Sequence, residues 1–135
     1  MTTATDLATA KNGDLLQQPV VAHLATIRPD GSPQSNPVWF QWDGAHIKVS
    51  QTTERRKMRN MSGNPRVALS ITDPYDPYRY LEVRGVVDRV EDDPDRASID
   101  QLSQMYMGQS PYPYHQKGDQ RVVVYIRPTA TSAMP

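Results

Sequence analysis

From Val20 onward the chain is a succession of short β-type runs, each closed by residues that turn a chain rather than extend it, and this punctuation constrains the fold more than any other feature. The run "VVAHLATI" ends at "RPDGSP", where Pro29, Asp30 and Gly31 occupy turn positions. "QSNPVWFQW" follows, and Asp43-Gly44, both tolerant of positive φ, marks a tight hairpin into "AHIKVSQ". A three-strand meander is expected here. "RVALSIT" is a fourth strand, with Val67, Leu69 and Ile71 on one face. "YRYLEVRGVVDRVED" is a fifth, too long to stay flat and interrupted at Gly85, where a bulge or barrel corner is expected. "RVVVYIRPTATSA" is the sixth.

Helical patterns interrupt the strands at two points. A basic helix is expected over 53–62, stopped by Gly63 and by Asn64-Pro65. A second is expected over 94–107, opened by Pro94, with Ile99, Leu102, Met105 and Tyr106 as its apolar stripe. Leu7, Ala8, Leu15 and Leu16 suggest a short amphipathic helix within a tail over 1–18. A chain of 135 residues buries one moderate core, so a single domain is expected over 1–135, with its barrel over 20–133. The fold class is mainly β: six antiparallel strands closing into a small barrel, since a parallel α/β sheet would need more helices.

Chemistry is narrowed by what is missing. With no cysteine, disulfides, thiolate metal sites and cysteine nucleophiles are excluded. His23, His46 and His115 stand at spacings that no common metal signature uses, so no metal site is expected. No G-x-S-x-G elbow, P-loop or dinucleotide glycine motif is present. An enzyme built from this chain would therefore take its reactive chemistry from a bound cofactor. "MTTATDLATAKNGDLLQQP" has no apolar core segment, and no stretch approaches the ~20 apolar residues of a membrane span, so a soluble cytoplasmic protein is expected.

Fifteen basic and fifteen acidic residues cancel, which argues against a nucleic-acid or membrane partner. The charges are unevenly placed. Arg55, Arg56, Lys57, Arg59 and Arg66 gather over 54–66 against Glu54 alone, whereas 88–100 carries six acids against Arg89 and Arg96. Cations in the first turn of a helix meet its partially positive end, at a cost of ~0.3–1 kcal/mol each. Arg55 and Arg59, at i,i+4, add about 0.2–0.5 kcal/mol. A bound phosphate or carboxylate would remove that conflict. The competing explanation is a solvated basic face partnered by the acidic stretch. Tyr75, Tyr78, Tyr80, Tyr112 and Tyr114 fall in two loop-like segments, where they would either line a pocket or interface or cover the barrel ends, and the 108–119 loop is a candidate lid.

The succession "RPDGSPQSNPVWF", "DG", "IKVSQ", "RRKMRN" with "NPRVAL", then "YLEVRGVV" resembles the flavin and deazaflavin oxidoreductases of the split β-barrel, pyridoxamine 5′-phosphate oxidase-like group. The resemblance runs over about 20–128, and is strongest to the small members that use coenzyme F420, a deazaflavin with a phosphate and an oligoglutamate tail. It implies a homodimer of six-stranded, Greek-key, FMN-binding split barrels, with cofactors in grooves shared by both subunits. It implies phosphate binding by Arg55 and Lys57, with Ser50 and Arg56 as neighbours, and a ring lying against Asn36, Pro37 and Val38. Pro37 has no N–H, so a backbone donor there falls to a neighbour such as Val38. Trp39, together with Tyr78 of the partner subunit, would shape the acceptor pocket, and Tyr80 of the partner subunit would approach the cofactor. Arg59 and Arg66 extend the basic run in a way that suits an anionic tail, which favours F420 over FMN. The implied activity is hydride transfer from reduced F420 to a small or medium organic acceptor. An FMN-dependent oxidase or reductase, or a non-catalytic cofactor-binding protein, are the alternatives. No side chain is nominated as a catalytic acid, base or nucleophile.

Overall fold

The computed structural model describes residues 7 and 9–133, so the expected tail before Leu7, and Ala8, lie outside the described residues. A 3-10 turn, Gly13–Gln17, is followed by β1 (Ala22–Ile27), β2 (Pro33–Val38), β3 (Gln41–Trp42), β4 (Ile47–Thr52), α1 (Arg56–Gly63), β5 (Arg66–Asp73), β6 (Asp76–Asp92), α2 (Ala97–Met107) and β7 (Arg121–Ser132). The strands form one antiparallel sheet in the order β2-β1-β5-β6-β7-β4-β3.

The turn signals act where the sequence puts them. After β1 the Arg28 N–H donates to Ser32 O at 2.8 Å, and Gly31 supplies the positive φ, 87°. In the β3–β4 hairpin only Gly44 takes positive φ, at 94°. Asp43 instead accepts the N–H groups of Ala45 and His46 on its carboxylate, at 2.8 and 2.6 Å.

Two expectations are corrected. The run "QSNPVWFQW" is not one strand: it breaks at Trp39 and Phe40 into β2 and β3, giving seven strands rather than six. Nor is there a three-strand meander, because β1 and β2 pair with each other while β3 and β4 lie at the opposite end of the sheet. The physical reason is closure. β2 and β3 are the two edges of the sheet yet are joined through Trp39 and Phe40, so the sheet must curl until its edges approach. Phe40, 1% exposed, drops into the core among Leu24, Ile47, Leu69, Ile71 and Leu81.

The other bend lies in β6, as Gly85 predicts. The β6–β7 register shifts between Arg84 and Gly85, and a Cβ on Gly85 would lie 2.6 Å from Arg127 O and 2.9 Å from Ile126 Cγ2. β6 also begins at Asp76, so Tyr78 and Tyr80 belong to a strand and not to a loop.

Both helices start later than expected. α1 begins at Arg56, with Arg55 as an extended N-cap that makes no side-chain capping bond. α2 begins at Ala97, because the Asp93 carboxylate accepts the N–H groups of Ala97 and Ser98 at 3.2 and 2.9 Å, which leaves Pro94 in the preceding turn. Its buried face is Ile99, Leu102 and Ser103. Met105, expected in the apolar stripe, is 39% exposed.

Candidate functional site

At the end of β4 the strand's alternation fails: Ser50, Gln51 and Thr52 are all buried polar residues in succession. They lie under an open cleft of about 320 Å³ enclosed by the β2–β3 crossing, the first turn of α1, the body of α2 and the start of β7. Its lining combines the cations Arg55, Lys57 and Arg121 and the hydroxyl of Ser50 with apolar side chains, Val21, Val38, Trp39, Ile99 and Leu102, and Tyr112 joins the two sets, its ring lying under the Arg121 guanidinium.

Lys57 is half-buried, and burial pushes its ammonium below the ordinary lysine range, with the nearby charges of Arg55 and Arg121 acting in the same direction. Among the described residues no carboxylate approaches the side chains of Arg55, Arg56, Lys57, Arg59, Arg66 or Arg121 within 4.0 Å. Four of the six acids in the stretch that would have partnered them are engaged elsewhere. Asp88 meets His46 and Arg127, Glu91 meets Arg89, Asp93 caps α2, and Asp100 accepts the Tyr112 N–H at 2.8 Å. The explanation by a basic face paired to its own acids therefore fails. Two further polar atoms are buried without a partner here: Ser50 Oγ, on a residue 8% exposed, and Arg121 Nε. Buried polar atoms left unpaired cost about 1–3 kcal/mol each, a cost that a ligand or water in the cleft would relieve.

The aromatic wall is fixed from behind. Trp39 stacks on Tyr106 with ring centres 5.1 Å apart, and meets Tyr112 edge-on at 6.0 Å. The Tyr106 hydroxyl accepts the Phe40 N–H at 3.2 Å and lies 2.8 Å from Val20 O, to which it donates. Behind α1, Asn60 donates to Thr26 Oγ1 at 3.0 Å and Gln34 Oε1 at 3.3 Å, and Gln34 donates to Asn36 Oδ1 at 2.8 Å. That network ties the basic helix to β1 and β2.

Six of the residues singled out from sequence line the cleft: Pro37, Val38, Trp39, Ser50, Arg55 and Lys57. Asn36 is in the network behind it, and Arg56 is exposed beside it. Tyr78 and Tyr80 lie on β6, outside the cleft of their own chain; Tyr78 is 73% exposed, and the Tyr80 carbonyl accepts the Asn12 amide at 2.9 Å. Arg59 and Arg66, credited above to an anionic tail, do not line the cleft. Arg121 was missed altogether, whereas Tyr112, one of the loop tyrosines offered either as pocket lining or as cover for the barrel ends, lines the cleft. No local pattern marks Arg121, which reaches Lys57 only through the pairing of β7 with β4.

A curled antiparallel sheet whose two edge strands are joined through Trp39 and Phe40, with a cationic cleft beside that crossing, has the architecture of a split barrel. The family model described as pyridoxamine 5′-phosphate oxidase matches residues 8–134, and the chain belongs to that family. A solved structure named F420 reductase is 49% identical, with a TM-score of 0.82, over 88% of this chain and 94% of that one. A conserved hypothetical protein, Rv2991 from Mycobacterium tuberculosis, is 25% identical with a TM-score of 0.71, over 97% of this chain and 82% of that one. A putative pyridoxamine 5′-phosphate oxidase from Listeria innocua, 23% identical with a TM-score of 0.65 over 87% and 90% of the two chains, shares the fold. No curated protein matches the chain. Among the described residues no helix is long and apolar enough to cross a membrane.

Proposed function

We propose that this protein is an F420-dependent oxidoreductase that passes a hydride from the reduced deazaflavin to a small or medium organic acceptor. One observation carries the reading. Three cations with no carboxylate partner line one cleft with an unpartnered serine hydroxyl and with apolar and aromatic side chains, in a chain 49% identical to a structure named F420 reductase. These residues fit a cofactor with an anionic end and a flat ring. When bound, the deazaflavin supplies the hydride chemistry, and no side chain needs to act as nucleophile.

The chain's own part is position and electrostatics. Arg55 and Lys57, at the N-terminus of α1, hold a phosphate by charge, and Ser50 Oγ donates to it. Val38 and Trp39 present a rigid apolar face for the ring, with Pro37 beside them offering no N–H. Tyr78, exposed on β6, and Tyr80, partly buried on the same strand, both away from the cleft, are assigned to a second copy's site in a homodimer. Ile99, Leu102 and Tyr112 exclude water from part of the cleft, which strengthens the charge interactions within it.

FMN is the second reading, and a specific observation favours it. With Arg59 and Arg66 outside the cleft, the cations that remain match a ligand ending at its phosphate as well as one with a tail. Fluorescence titration with oxidised deazaflavin and with FMN separates the two. We expect saturable deazaflavin binding tighter than that of FMN, weakened at least about tenfold by Lys57→Glu, since a lost charged hydrogen bond is worth about 1.5–3 kcal/mol. The variant's circular dichroism should match the parent's. Tighter FMN binding moves the protein to the second reading, and binding of neither sinks both. Tight binding without turnover over a broad acceptor panel makes it a cofactor carrier.

A further inference from the structure

Arg121 is the cation of the cleft that no family resemblance brought forward. It opens β7 opposite Thr52, so strand pairing carries it to the end of β4 and the first turn of α1. On one side it lines the cleft with Arg55, Lys57 and Ser50; on the other it lines a second cavity of about 540 Å³ with Asp92, Asp93, Asp119 and His115. An arginine among three carboxylates ordinarily pairs with one. Here none lies within ion-pair distance: Asp93 is held by the N–H groups of Ala97 and Ser98, and Asp119 by that of Gln116. The guanidinium lies over the ring of Tyr112 instead, 5.2 Å from its centre, with its Nε buried and unpartnered. Tyr112 in turn is braced by Trp39 and by the Asp100 carboxylate on its N–H. The side chain is thus held by a π face, which steadies a guanidinium while leaving its hydrogen-bonding edge free.

We infer that Arg121 is a third anion-binding side chain of the cleft, pre-positioned by the face of Tyr112, and that it makes the site selective for ligands whose charged end bears at least two negative charges. A phosphomonoester, or a phosphate with an adjoining carboxylate, meets that condition; an uncharged flavin does not. Three cations around a monoanion leave two positive charges unbalanced, and a second negative charge on the ligand leaves only one. The inference deepens the cofactor-binding reading above and rests on it.

The test titrates the full chain with FMN, the deazaflavin and riboflavin, which has the flavin ring without the phosphate. Arg121→Met should weaken whichever phosphorylated ligand the parent binds on the order of tenfold, leave riboflavin binding unchanged, and reduce the salt dependence of binding. Arg121→Lys keeps the charge and loses the fork, and should fall between. Tyr112→Leu should cost a few-fold alone and add little to Arg121→Met, because the two act as a unit. Equal losses for riboflavin and FMN, or a lower melting temperature with unchanged affinity, would make Arg121 structural and overturn the inference. If Lys57→Glu abolishes binding while Arg121→Met leaves the affinity unchanged, the inference falls and the cofactor reading stands. If the parent binds no phosphorylated ligand, both fall.

Discussion

Lys57 is where the anion binding proposed above would work against folding. Its ammonium is half-buried, beside Arg55 and Arg121, at the N-terminus of a helix with no acid in its first turn. Its pKa in the fold lies below the 10.5 of a free lysine, so the folded state disfavours the charged form. The cost is fully present at neutral pH and fades as pH rises from the folded pKa towards 10.5. Lys57→Met should therefore be the more stable protein at pH 7 without ligand, by about 0.3–1 kcal/mol after solvent screening. Urea melts at pH 7 and pH 10 measure this, and the gap should narrow at the higher pH. A less stable variant would mean that Lys57 packs for the fold's sake. The lysine was legible in the sequence because its conflict is local: cations in a first turn, directly after a strand. Arg121 was not, because its neighbours come from β4, α1 and the 108–119 loop, and no short window contains them.

Among the elements, β6 shows what a single glycine settles. Its bend at Gly85 lets β6 pair first with β5 and then along β7, and the β6 backbone there approaches Arg127 and Ile126 too closely for any side chain. Gly85→Ala must push β7 aside, at a cost of about 1–3 kcal/mol. A lower urea midpoint with an unchanged m-value would show this, and a variant as stable as the parent would contradict it. That bend was legible, since a glycine inside a β-type run has few other uses. The start of α2 was not. Pro94 suits a first helical position, but the Asp93 carboxylate satisfies N–H groups further on, and Arg96 takes a left-handed φ of 59° to deliver them. Two local rules competed, and the hydrogen bonds decided. Periodicity likewise placed Met105 on the buried stripe, whereas Ser103 takes the interior by donating to Gln109 O at 2.5 Å.

For the molecule as a whole, strand existence was readable and strand order was not, because turn residues act locally while β4 finds β7 across most of the sequence. The break at Trp39 and Phe40 escaped notice because Val38 and Phe40 alternate as a strand would. What makes it a break is Tyr106, on a helix far downstream. Its hydroxyl joins the Phe40 N–H and the Val20 carbonyl, so one side chain fixes the point where the sheet's two edges come together. Burial pushes that hydroxyl's pKa above 10.0, and the fold therefore loses stability above pH 10, where only the unfolded chain ionises freely. Tyr106→Phe keeps the ring on Trp39 but strands both backbone groups, and should cost about 1–3 kcal/mol. It should also flatten the loss of stability above pH 10. Unfolding followed at both pH values through tryptophan fluorescence tests the two effects together. Since Trp39 stands on the same crossing and faces the cleft, loosening the closure should weaken flavin binding as well, although Tyr106 does not line the cleft. A variant with the parent's stability and affinity would show that the core alone closes the barrel. A loss of both would show that closing the sheet and shaping the cleft are one event.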